Sequence, residues 1–305
     1  MGPELSAVNT TLAEREDSAL RLARTVLGLF KLRIGVLITL TALVGYVVTP
    51  GAAASAMQLL VLLLATLVSS ASAGAFNQYY EHDSDRLMAR TRTRAFVTGA
   101  LPRHPAWLAL FALMLVAAVG SAWFVVNPLA ATFVFLGAFF YAVVYTVWLK
   151  RRGWLNIVVG GLAGSFAALA GAAAADPGLG PLPWLFALIL FLWTPPHFWS
   201  LAIANKADYA EAGVPMLPVV VGTPRAARIV FWSTLALVIA SAIPAWFGAG
   251  GVYLAGALAG GAYFLYRARQ LALAPSRQTA IACFLASLVQ LSAVLVAACI
   301  DAALR

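Results

Sequence analysis

The sequence predicts an all-α fold, a polytopic membrane helix bundle of about nine transmembrane helices. Of the 305 residues, 63% are hydrophobic and 10% are charged, and the mean hydropathy is +0.90. Soluble domains carry roughly 25% charged residues, so this composition is too apolar for a soluble core. Several apolar runs reach the ~20 residues that a helix needs to cross a bilayer. We therefore expect these runs to be bilayer spans.

The chain divides into an N-terminal tail, 1–33, and one membrane domain, 34–305. The tail carries acidic residues such as Glu14 and Glu16, which argue against a cleavable signal peptide and an acid-poor transit peptide. Its stretch Leu12–Phe30 could lie along the membrane surface or form a solvated lead-in helix. The predicted spans of the membrane domain are 34–49, 57–77, 106–125, 128–149, 155–175, 182–203, 227–247, 252–267 and 279–301.

Basic residues alternate between the two sides of these spans. All but one of the 20 lysines and arginines fall in segments that the span order places on one face, and only Arg305 falls on the other. Because cytoplasmic loops hold the basic excess, we expect a bacterial plasma-membrane protein with its N-terminus cytoplasmic and its C-terminus outside. The net charge of +9 follows from this asymmetry and indicates no nucleic-acid partner. The basic segments are 1–33, 86–103, 150–152, 206–228 and 267–277.

An acidic stripe follows the second predicted span. Asn77, Glu81, Asp85 and Met88 share one face if the helix continues, and Asp83 then points away. Stacked carboxylates repel each other, so nearby arginines or a divalent metal must compensate them. Mg²⁺ typically uses one or two carboxylates together with substrate phosphate oxygens. The stripe predicts a site for an amphiphilic phosphorylated substrate, and a salt-bridged loop that only fixes topology is the alternative.

A second polar segment follows the sixth predicted span. Lys206 and Asp208 lie just past Pro195 and Pro196, and proline removes helical hydrogen bonds. We expect the prolines to break or kink the helix so that it lines a cavity, with His197 facing that cavity. A hydrogen-bonded histidine with a structural role is the alternative.

Four stretches resemble a known family. The stretch 77–94, NQYYEHDSDRLMARTRTR, resembles the first aspartate-rich motif of the UbiA superfamily of intramembrane prenyltransferases. The stretch 193–222, which begins WTPPHFWSLAIANKADY, is similar to the second motif of its protoheme IX farnesyltransferase (heme O synthase) branch. The stretches 30–46 and 145–164 resemble the same branch. The resemblance implies a bundle around a central cavity and transfer of farnesyl from farnesyl diphosphate to a vinyl group of heme b, with water supplying the hydroxyl of heme O.

The resemblance also implies three groups of site residues. The catalytic residues would be Asn77, Glu81, Asp85 and Asp208, of which Glu81, Asp85 and Asp208 would hold Mg²⁺; Arg90, Arg94, Lys150 and Lys206 would bind the diphosphate; His197 and Trp199 would bind heme. As exposed loop acids, Asp85 and Asp208 should add little stability. His197 could ligate the heme iron, bond to a propionate, or make a structural bond.

The sequence is also compatible with two functions other than heme farnesylation. One is a related prenyltransferase that acts on a quinone precursor or another lipid. The other is a membrane transporter, which would place ionisable groups near the bilayer midplane, whereas the predicted spans hold hardly any charge. The resemblance to the farnesyltransferase branch implies farnesyl diphosphate and heme b as substrates and the lipid bilayer as surroundings. It also implies that the product could pass to heme A synthase or a terminal oxidase.

Overall fold

The computed structural model describes residues 20, 22–51 and 54–305. Its helices follow the apolar runs of the sequence. The described elements are α1 (Leu22–Leu29), α2 (Leu32–Val48), α3 (Ala56–Tyr80), α4 (His82–Asp85), α5 (Ala95–Thr98), α6 (Ala106–Val125), α7 (Pro128–Phe139), a π-helix (Phe140–Leu149), α8 (Asn156–Gly160), α9 (Leu162–Ala175), α10 (Pro181–Ala204), α11 (Lys206–Glu211), α12 (Leu217–Val221), α13 (Thr223–Ala242), a 3-10 helix (Ile243–Phe247), α14 (Gly251–Leu273) and α15 (Arg277–Leu304).

Seven helices of the described chain are long and apolar enough to cross a bilayer, and the pair α1–α2, bent by 43°, brings the number to eight. Each of the nine predicted spans coincides with a helix or with consecutive helices. The predicted span outside this count is α14. Its 23 residues would cross the hydrocarbon core at about 1.5 Å per residue, but glycines, tyrosines and arginines make it less apolar. The all-α membrane bundle is confirmed, and seven or eight of the nine predicted spans meet the criteria of length and composition in the described chain.

Polar side chains at the helix ends fix where several spans begin. Ser55 and Gln58 form a reciprocal capping box at the start of α3, and Ser276 and Thr279 do the same for α15. The Asn127 side chain accepts from the backbone at the start of α7. These bonds satisfy backbone N–H groups that a helix cannot pair internally, so the caps mark the boundaries between spans and loops.

Small residues allow the helices to approach closely in the middle of the bundle. A Cβ added to Gly45 of α2 would collide with the carbonyl of Ala168 in α9, and one added to Gly171 would collide with that of Ala42. Such contacts drive helix association where lipid removes the hydrophobic effect between helices. The helix α2 also packs against α3 and α15, so the first and last spans meet and the bundle closes.

The expectation that Pro195 and Pro196 break the sixth span is wrong, and the alternative that they kink it stays a prediction. The helix α10 runs without interruption from Pro181 to Ala204 with both prolines inside it. On either side of the pair, Trp193 and His197 bond to Ser287 of α15. Membrane helices tolerate interior proline when neighbouring helices support them, and α15 provides that support here.

The predicted surface helix over Leu12–Phe30 lies largely outside the described residues. The part that is described includes α1, which is separated from α2 by a bend. At that bend Lys31 adopts a left-handed backbone conformation, with φ of 48°. The bend turns the lysine side chain toward α3, where it becomes part of the site described below.

Candidate active site

The predicted acidic stripe forms one buried face. Asn77, Glu81, Asp85 and Met88 are all less than 5% exposed. Backbone bonds of helical spacing continue from Asn77 to Asp85, because Glu81 N–H donates to Asn77 O at 3.0 Å and Asp85 N–H donates to Glu81 O at 2.8 Å, and the helix ends before Met88. Asp83 points away, with 76% of its side chain exposed. The helical-face prediction is confirmed for Asn77, Glu81 and Asp85, whereas Met88 is buried beside them from the turn that follows.

The expectation that Asp85 is an exposed loop acid is wrong. Its side chain is completely buried because the chain folds back after α4 and places Arg94 against it. Arg94 Nη1 lies 2.5 Å from Asp85 Oδ2 and 3.9 Å from Glu81 Oε2. The other expected loop acid, Asp208, is half-buried. Removing Asp85 would therefore affect folding as well as chemistry.

The positive charge that the stripe requires comes from within the chain. Lys150 Nζ pairs with Glu81 Oε1, and Arg94 pairs with Asp85. Two predicted diphosphate ligands therefore lie directly on the two stripe carboxylates. The site presents anionic and cationic groups side by side, which is the combination needed to bind a metal-bound diphosphate.

Lys31, Tyr141 and Thr146 also belong to the site, although the sequence did not single them out. Lys31 Nζ donates to Asn77 Oδ1 at 2.8 Å and to the Tyr141 hydroxyl at 3.3 Å. Asn77 Nδ2 donates to Thr146 Oγ1 at 3.1 Å. Both oxygen and nitrogen of the Asn77 amide are therefore held, and its orientation is fixed.

A π-helix brings these partners into line with α3. The Thr146 hydroxyl donates to the carbonyl of Tyr141 at 2.8 Å, and Lys150 N–H donates to the carbonyl of Tyr145 at 2.9 Å. This five-residue spacing places Tyr141, Thr146 and Lys150 on one face, opposite Asn77 and Glu81. Single-turn π segments often occur at functional sites, and here the element spans ten residues.

Burial and charge alter the acid–base properties of the cluster. Burial raises the pKa of Asp85, and the Arg94 guanidinium opposes that shift. Burial also lowers the pKa of Lys150, while Glu81 opposes it. By contrast, a hydrogen bond from His82 lowers the pKa of the exposed Asp83. The two buried groups depend on their partners to remain charged.

The stripe carboxylates fit a divalent cation in one respect. Asp85 Oδ1 is buried and has no hydrogen-bond partner within the described chain, so it is a hard oxygen available to a metal or to a metal-bound water. No three histidine, cysteine, aspartate or glutamate side chains of residues 20, 22–51 and 54–305 converge as a ready-made metal site. Asp208 is thus not assembled with Glu81 and Asp85, and joint metal binding by all three remains a prediction.

The second loop meets the first through Met88 and Tyr209. Both are buried in one apolar cluster with Val214 and Met216, and the Arg90 guanidinium lies beside the Tyr209 hydroxyl. Lys206 and Asp208 on α11 are half-buried and form no ion pair within the described chain. The two loops therefore lie side by side, as predicted, but are joined by Tyr209 rather than by their charges.

His197 lies between α10 and α15, away from the acidic stripe. Its ring stacks on Trp193 and Phe284, with centroid distances of 4.0 and 4.6 Å, and its Nδ1 lies 2.6 Å from Ser287 Oγ. Trp199 projects from a different side of α10 and packs on Trp154 at 5.9 Å. The structure does not bring the two predicted heme-binding residues together, and both roles remain predictions.

Aromatic side chains hold the loop that carries Arg94. Phe96 is 2% exposed and makes edge contacts with Tyr79 at 5.4 Å and with Trp107 at 5.8 Å. Arg103 covers the Tyr79 ring at 4.9 Å. Tyr79 is therefore an anchor for the loop. Tyr141 and Tyr145, stacked at 5.9 Å, are the rings beside the charged cluster.

Two surface cavities lie elsewhere. One, of about 410 Å³, is an apolar groove lined by residues such as Val116, Trp123 and Phe135. The other, of about 230 Å³, lies near Asp176 and Phe247. Neither contains a predicted site residue, and the buried polar cluster identifies the candidate site better than cavity size does.

Comparison with known proteins agrees with the motifs. Residues 38–293 match the model of the UbiA prenyltransferase family. The chain is 53% identical to protoheme IX farnesyltransferase 2 of Paramagnetospirillum magneticum over 279 residues, which cover 91% of this chain and 96% of that protein.

Solved structures of low sequence identity share the fold. A digeranylgeranylglyceryl phosphate synthase aligns with a TM-score of 0.79 at 17% identity, covering 93% of this chain and 100% of the other. A UbiA homolog from Archaeoglobus fulgidus bound to GPP and Mg²⁺ aligns with a TM-score of 0.69 at 18% identity, covering 88% and 99%. At these identities the likeness concerns the fold alone.

Proposed function

This chain belongs to the UbiA prenyltransferase family, and on that premise we propose that it transfers farnesyl from farnesyl diphosphate to a vinyl group of heme b. Water supplies a hydroxyl, and the product is heme O. The similarity to a protoheme IX farnesyltransferase over most of both chains supports this acceptor. The observation that carries the chemistry is the buried cluster in which Arg94 and Lys150 pair with Asp85 and Glu81.

The stripe carboxylates are the groups that would hold Mg²⁺. The proposal assigns this role to Glu81 and Asp85, with Asp208 contributing from the neighbouring loop. The available Asp85 Oδ1 supports it, as does the Mg²⁺ of the Archaeoglobus homolog. Bound Mg²⁺ would neutralise charge on the departing diphosphate.

The basic residues around the stripe would hold the diphosphate. Lys150 and Arg94 lie nearest the carboxylates, and Lys31 reaches the same cluster through Asn77. Arg90 beside Tyr209 and Lys206 would close the site from the second loop. Guanidinium groups bind phosphate oxygens through paired hydrogen bonds, and they stabilise the charge that builds as the allylic bond breaks.

The aromatic wall of the site would protect the reacting carbon. The rings of Tyr141 and Tyr145 stack on each other and contact Lys31 and Lys150 of the charged cluster. Their faces can stabilise a cation, and their bulk excludes water until the acceptor attacks. His197 lies on α10 and would contact the heme, whereas the stripe carboxylates that would hold the metal-bound diphosphate lie at the end of α3 and on α4. The two substrates would therefore bind to different helices.

The orientation and partners complete the proposal. The basic loops would place diphosphate departure at the cytoplasmic face of a bacterial plasma membrane. Heme O leaves as an apolar product, so it would stay in the lipid bilayer for hand-off to heme A synthase or a terminal oxidase.

A reconstitution assay tests the proposed function. Purified protein is incubated with Mg²⁺, farnesyl diphosphate and heme b, and the products are analysed by mass spectrometry. We expect heme O, and we expect chelation of the metal to abolish it. A parallel reaction replaces heme b with an aromatic quinone precursor, and prenylation of that acceptor alone would contradict the heme assignment.

A further inference from the structure

Three aromatic side chains surround the ring of His197, and one of them, Phe198, meets it edge-on at 4.9 Å. Trp193 and Phe284 cover the two faces. The Nδ1 edge lies against Ser287 Oγ at 2.6 Å. Nδ1 is the only ring nitrogen bonded to another described residue, so Nε2 is the polar atom left for a ligand.

The hydrogen-bond network around Ser287 determines where the imidazole proton resides. Ser287 Oγ donates its proton to the carbonyl of Phe284 at 2.5 Å, and a carbonyl can only accept. With its single proton directed at Phe284, Ser287 Oγ has lone pairs left to accept from His197, and that bond places the proton on Nδ1. A neutral imidazole with Nδ1–H carries its lone pair on Nε2.

A further bond keeps the ring in this orientation. The Trp193 indole N–H donates to the carbonyl of Ser287 at 2.8 Å, which holds the indole against the imidazole. The Ser200 hydroxyl donates to the backbone carbonyl of His197 at 2.8 Å, a bond that involves no atom of the ring. Rotating the ring would break its bond to Ser287, so the Nε2 lone pair keeps one direction.

We propose that Ser287 is a positioning residue that locks His197 in the Nδ1–H tautomer, and that His197 Nε2 ligates the iron of the heme acceptor. This rests on the proposed function. Histidines that bind metals usually donate their other N–H to a hydrogen-bond acceptor, which fixes the tautomer and strengthens the ligand. An imidazole is a common axial ligand of heme iron.

A ligand role fits these surroundings better than a proton-accepting role. A histidine that takes up a proton gains from a nearby carboxylate, and no acidic side chain of the described chain bonds to His197. The neighbours are the rings of Trp193 and Phe284, which stack on the imidazole and would meet a porphyrin with their apolar edges. These features favour a neutral imidazole that donates electrons to iron.

Spectroscopy of bound heme tests the proposal. Full-length protein is loaded with heme b and reduced, and the iron–histidine stretch is recorded by resonance Raman. We expect this band in the wild type and its loss in His197→Ala. In Ser287→Ala the band should shift to lower frequency and the heme Kd should rise roughly tenfold. Ser287→Thr retains the hydroxyl and should restore both values.

A matched control separates the tautomer effect from packing. Ser200→Ala also removes a completely buried serine hydroxyl, but one that bonds to the backbone of His197 rather than to its ring, so its band should stay unchanged. Ser287→Cys, with a weakly accepting sulfur of similar size, should shift the band in the same direction as Ser287→Ala and serves if the alanine variant is unstable.

Three results would contradict the roles proposed for His197 and Ser287. A band that survives His197→Ala overturns iron ligation by His197. A band unchanged in both Ser287→Ala and Ser287→Cys overturns the role of Ser287. Heme O formation is measured by mass on the same preparations, so wild type that makes heme O without a His197-dependent band contradicts this inference alone. Wild type that makes no heme O contradicts the proposed function.

Discussion

At the scale of single residues, the two carboxylate oxygens of Asp85 have different surroundings. One of its oxygens is paired with Arg94 and the other has no hydrogen-bond partner in the described chain. We expect Asp85→Asn to lower the rate of heme O formation at least about a hundredfold, because charge stabilisation at the leaving group is lost. Breaking the buried pair should also cost roughly 3–5 kcal/mol of stability. Initial rates and thermal unfolding measure the two effects.

Asp83→Asn is the matched control for Asp85→Asn. Asp83 lies two residues away in the same short helix, but it is exposed and bonds only to His82 among the described residues. Its replacement should leave the rate within about twofold, since exposed ion pairs contribute little. Equal damage from both variants would contradict the assignment of the stripe.

Lys150 provides a second residue-scale prediction. Lys150→Gln removes the charge that pairs with Glu81, and we expect the KM for farnesyl diphosphate to rise about tenfold while the KM for heme b stays unchanged. Arg151→Gln changes an exposed neighbour and should alter neither value. Steady-state kinetics with each substrate varied in turn checks this, and a rise confined to the heme KM would refute it.

The sequence revealed the stripe but only part of its surroundings. Asn77, Glu81 and Asp85 repeat at helical spacing, so their shared face was predictable. Lys31, Tyr141 and Thr146 come from two other elements and form no local pattern with the stripe. Burial of Asp85 was equally hidden, because it depends on how Arg94 folds back.

At the scale of elements, the loop between α4 and α6 depends on one aromatic anchor. Phe96→Ala should remove most of its packing on Tyr79 and Trp107, and Phe-to-Ala changes in cores cost roughly 3–5 kcal/mol. We expect trypsin to cleave the loop at least about tenfold faster, because proteolysis follows local opening. Leu87→Ala, an exposed position in the same loop, should leave the cleavage rate unchanged. Equal cleavage of all three proteins would contradict the anchor.

Two elements show where local sequence rules fail. Pro195 and Pro196 predicted a break or a kink, yet α10 is continuous and α15 bonds to residues on both sides of the pair. The segment Phe140–Leu149 has the composition of an ordinary apolar span, and its π-helical hydrogen bonds have no signal in that composition. In both cases tertiary contacts outweigh the local preference.

At the scale of the whole molecule, the orientation in the membrane is testable. Every loop with a basic excess should face the cytoplasm, and reporter tags measure this directly. A tag at Asp176 that reads cytoplasmic would contradict the span order. The tags expected to report outside lie near Gly51, Asn127, Asp176 and Gly250, and those expected inside follow Asp85, Arg152, Asp208 and Arg269.

The bundle was predictable from sequence because apolar length and charge asymmetry are local properties. The arrangement of the helices was not, since the close contact of α2 with α9 depends on Gly45 and Gly171 lying opposite particular carbonyls. The pairing of α10 with α15 around His197 is likewise a property of the folded molecule.

In the proposed reaction, diphosphate departs at the acidic stripe and farnesyl passes to heme b. The most direct test measures released diphosphate and heme O in the same reaction of the purified protein with Mg²⁺. We predict equal molar amounts from the wild type, and loss of both from Asp85→Asn with heme affinity retained. Diphosphate release without heme O would contradict farnesyl transfer to heme b. Full activity of Asp85→Asn would contradict diphosphate departure at the acidic stripe.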